Sequence, residues 1–271
     1  MPLFARAALT VVKNHATALR GTAVRNVALA VITGTLITGP AVTPAQAAPP
    51  SDYRVKGVDT SHYNHPGNKV IDWQRVRRAG YAFMYAKATE GTTHQDRWLA
   101  ADLKNAKAAS LFRGAYHFYG TTAGKDQAEN FVATVRRAGY TGKAPGELPP
   151  AIDLELKAGG ACPRNFSTAE LRTFLRAVDA EMKVKPVIYT TEQFVKACMK
   201  GDGSLFADHM LWQPRYRSSA SEPTTVPGAG SRWKIWQHSE TGTVPGIESN
   251  NRTDLNVFRG TVAELERLAH T

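Results

Sequence analysis

Two carboxylates stand one residue apart in an otherwise apolar stretch, LPPAIDLEL, at residues 148–156. In a β-strand, residues i and i+2 face the same side, so we expect Asp153 and Glu155 to project together. Two carboxyl groups held that close repel each other as anions, and one of them keeps its proton near neutral pH. A proton donor beside an anion is the combination that cleaves glycosidic bonds. A structural ion pair with Lys87 or Lys157 is the alternative that this stretch leaves open.

Acidic and aromatic side chains recur where other β-type runs end. The first such run leads to Asp59, the second to Glu90 and the third to Tyr119, whereas the last run begins with Asp254. In barrels of alternating strands and helices, functional residues gather at the carboxyl ends of the strands. A purely structural explanation would require each of these acids to be satisfied separately.

The apolar periodicity that positions these residues predicts an α/β fold. Strands are predicted at 55–61, 81–89, 112–120, 150–156, 185–191, 209–216, 233–239 and 254–258. Helices are predicted at 72–79, 96–110, 124–138, 168–183 and 192–199. The helix at 168–183 has the clearest start, because Ser167 and Glu170 form a capping box ahead of its apolar residues. Strands that alternate with helices indicate parallel strands joined by crossover helices.

The pattern changes after residue 200. The last three predicted strands are joined by loops rich in Gly, Pro and Ser, such as 218–231 and 240–253, and we predict no helix there. The sequence therefore predicts an irregular TIM-like barrel with five βα units followed by three strands lacking full helices.

The first 47 residues are typical of an export signal. Four basic residues and no acidic one precede or flank an apolar run at 27–38, and Ala45-Gln46-Ala47 offers a small-x-small cleavage site. A membrane anchor is the alternative, but this run has roughly a dozen residues and a spanning helix needs about 20. We expect residues 1–47 to be a signal peptide and 48–271 to be one secreted domain, monomeric and free of the membrane after cleavage.

Charge and cysteine content suit that location. Removing the four basic residues of 1–47 lowers the formal net charge from +11 to +7, which favours anionic partners such as cell-wall polymers. Nucleic acid is not expected as a partner, because no basic run is interleaved with aromatics. The two cysteines, Cys162 and Cys198, form an even pair, which in an oxidising compartment predicts a disulfide. Neither has the local sequence of a catalytic cysteine.

Seven sequence blocks occur in order from about residue 56 to 260, and together they resemble the family 25 glycoside hydrolases, the Chalaropsis-type lysozymes. The blocks are GVDTSHYN (57–64), AFMYAKATEG (82–91), GAYHFYG (114–120), PAIDLE (150–155), PVIYT (186–190), LWQPRY (211–216) and IWQHSETGTVPGI…TDLNVF (235–258).

The resemblance implies a β-1,4-N-acetylmuramidase that cuts peptidoglycan, on a barrel with five βα units and three further strands. Asp59, Asp153, Glu155 and Asp254 match the acids of the family's blocks, and Glu155 matches the general acid. The role of Asp153 stays open between activating water and orienting the substrate's N-acetyl group, with the short spacing favouring the second. We expect no metal and no cofactor in this chemistry.

Aromatic residues on the same strands are candidates for stacking on sugar rings. We predict substrate contacts for Glu90 and for the aromatics Tyr85, Tyr119, Tyr189, Trp212 and Trp236. Core packing is the alternative for each aromatic, and we expect at least one of the five to be structural. Gln213 and Gln237 follow tryptophans directly and are expected to face the opposite side of their strands.

Two other functions are compatible with parts of the sequence. His62 and His65 follow the strand that carries Asp59, as in a metal site of an exported polysaccharide deacetylase. However, an H-x-x-H pair in a Pro/Gly loop lacks the helical spacing that brings two imidazoles to one metal. A non-catalytic wall-binding module on the same fold is the other alternative, although all four expected acids are present.

Overall fold

The computed structural model describes residues 48–120, 123–216, 222–249 and 252–269, so the predicted signal peptide at 1–47 lies outside the described residues. Nine strands occur in these ranges: β1 (Val55–Thr60), β2 (Tyr81–Glu90), β3 (His94–Gln95), β4 (Phe112–Phe118), β5 (Ala151–Leu154), β6 (Val187–Thr190), β7 (Leu211–Pro214), β8 (Trp233–Gly242) and β9 (Thr253–Phe258). The eight predicted strands are all present, and the short β3 is an addition.

Eight of these strands close into a barrel, which confirms the predicted fold class. The strand order is β1-β9-β8-β7-β6-β5-β4-β2, and pairing of β1 with β2 closes the ring. β3 forms a hairpin with the end of β2. The pairings that run from β1 through β2, β4, β5, β6 and β7 to β8 are all parallel, whereas β9 is antiparallel to both β8 and β1. The start of β9 therefore lies at the same end of the barrel as the carboxyl ends of the parallel strands.

The five predicted helices are present, each within a few residues of its predicted bounds. They are α1 (Trp73–Arg78), α2 (Leu99–Ala108), α3 (Gly124–Arg137), α4 (Thr168–Met182) and α5 (Glu192–Cys198). The Ser167 hydroxyl accepts a hydrogen bond from the Glu170 backbone N–H at the start of α4, which satisfies one of the free donors of the first turn.

The described parts of the loops that join β7 to β8 and β8 to β9 contain no helix, as predicted, but a helix that was not predicted follows β9. A sixth helix, α6 (Val262–Leu268), begins at a capping box formed by Thr261 and Glu264. Leu265 of this helix is buried in the same cluster as Val55 and Phe258, at the amino-terminal end of the barrel. Because the barrel interior must be sealed from water at that end, a short helix there can be stable through burial more than through its own length.

Two glycines make room for aromatic rings inside the barrel. A Cβ atom on Gly57 would lie 2.3 Å from the Phe83 ring, and one on Gly114 would lie 2.2 Å from the Tyr85 ring. Each ring occupies the space that a side chain at the glycine of the neighbouring strand would need, because side chains at alternate positions point into the barrel interior. The GVD and RGAY blocks therefore contain glycine for close packing beneath the site.

The predicted disulfide is present between Cys162 and Cys198. It joins the loop after β5 to the end of α5, across a sequence separation of 36 residues. A bond closing a loop of that length contributes about 4 kcal/mol by restricting the unfolded chain. In the part of the chain that the structure describes, no helix is both long and apolar enough to cross a membrane.

Candidate active site

The carboxyl ends of the barrel strands surround a cavity of about 240 Å³ that contains all four predicted acids. Asp153 belongs to β5, Glu155 follows it directly, Asp59 is in β1 and Asp254 is near the start of β9. Aromatic side chains line the rest of the wall, namely Tyr63, Tyr116, Phe118, Tyr189, Trp212 and Tyr216.

Strand register explains why acids so distant in sequence meet here. Asp59 and Asp254 are direct partners in the antiparallel pairing of β1 with β9. Asp153 stands opposite Phe118 of β4 and Tyr189 of β6 in parallel pairings. Because side chains on one strand alternate between the two faces, all of these positions share the barrel interior.

Two amides hold Asp59 in place. Asn256 Nδ2 and Gln237 Nε2 both donate to Asp59 Oδ1, at 2.7 Å and 2.9 Å. The Gln237 carbonyl oxygen in turn accepts hydrogen bonds from the hydroxyl groups of Tyr189 and Tyr216. Since hydroxyl donors occupy its oxygen, the Gln237 amide must present its N–H to Asp59. Asp59 Oδ1 is therefore an acceptor. Burial raises the pKa of Asp59, and the two hydrogen bonds from Asn256 and Gln237 oppose that rise.

Burial opposes ionisation across the whole cluster. It raises the pKa of Asp153 well above its ordinary range, and the nearby Glu155 and Asp59 carboxyls raise it further. Burial and the Asp59 carboxyl raise the pKa of Asp254 to about 9. The pKa of Glu155 is also raised by burial, while the facing Tyr189 hydroxyl acts in the opposite direction. The four carboxyls therefore carry fewer than four negative charges at neutral pH.

The sequence left open an ion pair between the two central acids and a lysine, and the structure pairs the lysines differently. Lys87 Nζ donates to Glu90 at 2.7 Å. Lys87 and Lys157 each lie with Nζ 4.9 Å from the centre of the Phe118 ring. No ion pair joins Asp153 or Glu155 to a described basic residue, although both lysines lower the pKa of Glu155 through their charge. The two lysines thus form a positive border to the cavity.

The predicted substrate-contacting residues divide into two groups. Tyr189 and Trp212 line the cavity, and Trp212 lies beneath it with its indole N–H donating to Asn256 Oδ1 at 2.8 Å. Tyr85 is buried deeper in the barrel and donates to the Pro149 carbonyl oxygen. Tyr119 is buried against Phe166 and Phe174 outside the cavity. Glu90 is not part of the wall, because it pairs with Lys87 at the border.

Trp236 and Gln237 face the opposite sides of β8 from those that we expected, with Trp236 outside the barrel and Gln237 at the cavity. Trp236 is 0% exposed and packs against Trp233 and Tyr53 on the outer side of the barrel. Gln237 faces the interior and lines the cavity. The register of β8 shifts against β7 between Trp233 and Ile235. Regular alternation counted from Trp233 would therefore place Gln237 on the outer face of the barrel, where it does not lie. The signal that was available is the i+2 relation of Gln237 to the apolar Ile235, which is buried in the barrel interior.

The structure does not support the alternative in which His62 and His65 share one metal ion. His65 is buried and stacked on Trp98 at 3.9 Å. Its Nδ1 lies 2.8 Å from the Lys69 carbonyl oxygen and its Nε2 lies 3.0 Å from Asp102 Oδ2. Both ring nitrogens are therefore engaged in the fold, and neither is available to a metal ion beside Asp59.

A larger groove of about 550 Å³ lies at the opposite end of the barrel, next to α6. Its two acids are Asp208, which faces Lys185, and Glu264, which caps α6. Hydrogen bonds to Thr261 hold the pKa of Glu264 below its usual range. Both acids of this groove thus have structural partners, and volume alone does not identify the site.

Comparisons with known proteins agree with this geometry. The model of the glycosyl hydrolases family 25 matches residues 58–247. Lysozyme M1 of Streptomyces globisporus is 34% identical over 222 residues, which cover 80% of this chain and 71% of that protein. The N,O-diacetylmuramidase of Chalaropsis sp is 28% identical over 226 residues, covering 79% of this chain and 99% of that protein.

Solved structures show the same fold. A bacterial lysozyme from Streptomyces coelicolor superposes with a TM-score of 0.69 at 34% identity, covering 80% of this chain and 97% of that one. A family 25 lysozyme from Aspergillus fumigatus gives a TM-score of 0.67 at 28% identity, with coverages of 80% and 99%. With its matched residues spanning most of the barrel and its four interior acids, this chain belongs to the glycosyl hydrolases family 25.

Proposed function

We propose that the enzyme hydrolyses the β-1,4 bond between N-acetylmuramic acid and N-acetylglucosamine in peptidoglycan. Family membership and the relatives named lysozyme and diacetylmuramidase support this substrate class. The observation that carries the mechanism is at Asp153, whose buried Oδ1 has no hydrogen-bond partner although it belongs to the cavity beside Glu155. A buried acceptor without a partner is costly unless a ligand supplies a donor.

Glu155 acts as the general acid. It is only half-buried, at the point where β5 ends and the cavity opens. Its raised pKa keeps the proton on the carboxyl at a pH where an ordinary glutamate is ionised. As the glycosidic C–O bond breaks, Glu155 gives this proton to the leaving hydroxyl oxygen of the next sugar.

Asp153 orients the substrate's 2-acetamido group. Its free Oδ1 accepts a hydrogen bond from the acetamido N–H. The acetamido carbonyl oxygen attacks the anomeric carbon as the glycosidic bond breaks, and this forms an oxazolinium ion whose N–H stays bonded to Asp153. Water then opens this ring with help from the ionised Glu155, and the sugar retains its configuration. Proton NMR of freshly cut muropeptides tests this step, and an inverted product would instead assign Asp153 to activating water.

Asp59, Asp254 and the two amides hold the cluster in shape. Asp59 is fixed by Asn256 and Gln237, and Asp254 shares a hydrogen bond with it. Tyr189 and Tyr216 connect this group to the opening beside Glu155. We therefore include these tyrosines and Trp212 in the proposed sugar-binding surface and leave out Tyr85, Tyr119 and Trp236.

The test compares wild type with Glu155→Gln, which keeps the shape of the side chain but removes the proton donor. We expect the rate of turbidity clearing of bacterial cell walls to fall by about 10²–10⁴-fold. Glu181→Gln is the matched control, because Glu181 lies on the exposed side of α4 and pairs with Arg136. Equal clearing by wild type and Glu155→Gln would reject the mechanism, and wall binding without release of reducing sugar would favour the non-catalytic module.

We also propose that residues 1–47 direct export and that residues 48–271 act outside the cell as one monomeric domain. The disulfide supports this, because such bonds persist in oxidising compartments. Amino-terminal sequencing of the protein recovered from culture medium should begin at Ala48, and gel filtration should give the mass of a monomer.

A further inference from the structure

A second group of ligand-type side chains lies beside the cavity and has no part in the proposed mechanism. His62, His94 and Asp96 each bring one potential ligand atom within 4.8 Å of those of the other two. His62 is the second residue after the end of β1, His94 is in β3 and Asp96 comes just after β3. The hairpin of β2 with β3 thus approaches the turn that follows Asp59. The sequence suggested His62 with a different histidine, and only the fold brings His94 to it.

We propose that His62, His94 and Asp96 bind a divalent transition metal of the zinc class. Two imidazoles and one carboxylate are a common donor set for such ions, with water in the fourth position. His62 Nδ1 and Asp96 Oδ2 are 3.1 Å apart. Two ligand atoms on a tetrahedral zinc ion with bonds of about 2.0–2.1 Å lie roughly 3.3–3.4 Å apart. A metal ion entering here needs only a small separation of these two groups.

The surroundings already orient the carboxylate. The backbone N–H of His62 donates to Asp96 Oδ2 at 2.8 Å, and that of Trp98 donates to Asp96 Oδ1 at 2.9 Å. Hydrogen bonds of this kind, outside the ligands themselves, fix the direction of a metal-binding carboxylate. The Asp96 side chain is 1% exposed and that of His62 is 31% exposed, while His94 is exposed. A metal ion can therefore enter from the His94 side.

The metal restricts the motion of the turn that carries Tyr63, at one edge of the substrate cavity. Tyr63 follows His62, lies with its ring centre 4.0 Å from that of His62, and lines the cavity. Tyr63 is also 78% exposed, so few contacts hold its side chain. A bound metal joins the turn of Tyr63 to the β2–β3 hairpin and limits its motion. Metal binding at this site does not depend on the muramidase activity. Only the effect of the metal on substrate contact at Tyr63 rests on the proposed function.

The test is calorimetric titration of the chelator-treated, full mature protein with zinc chloride. We expect binding of one zinc ion per chain, and thermal unfolding should shift upward by roughly 5–10 °C at saturating zinc. His94→Gln should weaken zinc binding by about 100-fold, at least the loss seen when a supporting residue of a metal site is removed. Because His94 is exposed, this variant should fold as the wild type does.

His209→Gln is the matched control. His209 lies at the other end of the barrel, where its Nδ1 donates to the Pro186 carbonyl oxygen, and its replacement should leave zinc binding unchanged. Absence of stoichiometric binding in the wild type would overturn the proposal. Equal affinity in His94→Gln would also overturn it, since the ion would then be held elsewhere, for example by the carboxyl cluster.

Discussion

The lower and upper layers of the barrel interior are built by the same strands from opposite kinds of side chain. The lower layer, toward the amino-terminal ends of the parallel strands, is apolar and contains Val55, Phe83, Ala151, Val187, Ile235 and Phe258. The upper layer lies two to four residues away on the same strands, toward the carboxyl ends of the parallel ones, and contains Asp59, Lys87, Asp153, Tyr189, Gln237 and Asp254. Both layers have the same strand period, and only the side chains differ.

The lower layer stabilises the fold, whereas the upper layer carries the groups for chemistry. Burial of apolar area in the lower layer stabilises the fold. Burial in the upper layer acts against it, because carboxyl groups there must keep protons that the unfolded chain would release. The protein tolerates this cost at the one place where a raised pKa and a free acceptor are useful. Removing side chains from the two layers should therefore have opposite effects.

The largest expected effect is in the lower layer. Phe83→Ala should lower the free energy of unfolding by about 3–5 kcal/mol, because it leaves a cavity where the ring now covers Gly57. The rate per folded molecule should change little. Thermal and denaturant unfolding measure the loss, and Val70→Ala, at an exposed position, is the control. Unchanged stability would mean that the lower layer does not support the barrel.

The next effect is in the upper layer and concerns rate. Asp153→Asn should slow peptidoglycan hydrolysis by about 10²–10³-fold, since the hydrogen bond from the substrate's acetamido N–H favours ionisation of the Asp153 carboxyl as the oxazolinium ion forms, and an amide cannot ionise. The same change removes a buried, repelled carboxyl, so the unfolding temperature should stay the same or rise. Asp52→Asn, at an exposed position, controls for the loss of one negative charge. A clear fall in unfolding temperature would show that Asp153 is a structural residue.

The smallest effect is a pH dependence of stability at Asp254. Its pKa is about 9 in the folded protein and lies in the ordinary aspartate range when unfolded. The wild type should therefore lose stability as pH rises from about 4 to 9, because only the folded state retains this proton. Asp254→Asn cannot lose it, and its amide can still donate to Asp59. The variant should match the wild type near pH 4 and exceed it by about 1–3 kcal/mol near pH 8.

Thermal unfolding at both pH values measures this difference, with Glu129→Gln as the control. Glu129 is exposed on α3 and pairs with Lys125, so its replacement should show no such trend. If the difference in stability between Asp254→Asn and wild type is the same at pH 4 and pH 8, the retained proton lies on another carboxyl of the cluster.

Much of this architecture could be predicted from the sequence, because its signals are local. The Ser167 N-cap and the apolar repeat after it place α4 to within a residue or two. The predicted capping box is only half formed, because the Glu170 carboxylate accepts from the Gly124 backbone N–H. The D-x-E spacing places Asp153 and Glu155 on one face, and they do line the same cavity. The helix α6 carried an equally local signal at Thr261 and Glu264, which the loop-rich composition of the preceding segment obscured.

Other features depend on pairing across the sheet. The direction of β9 cannot be inferred from its own residues, yet it decides that Asp254 stands beside Asp59. A register shift between β7 and β8 reverses the faces expected for Trp236 and Gln237. Both are consequences of how strands twist and align with their neighbours, which a single-strand pattern does not contain.

By itself, the sequence determined which residues could do chemistry, which of them share a strand face and which two cysteines pair. Only the tertiary structure decided which of those residues meet. Asn256 reaches Asp59 across 197 residues of chain, and His94 reaches His62 through a hairpin that was not predicted. The physical reason is that alternation along a strand is a local property, whereas register, burial and pKa depend on neighbours from distant parts of the chain.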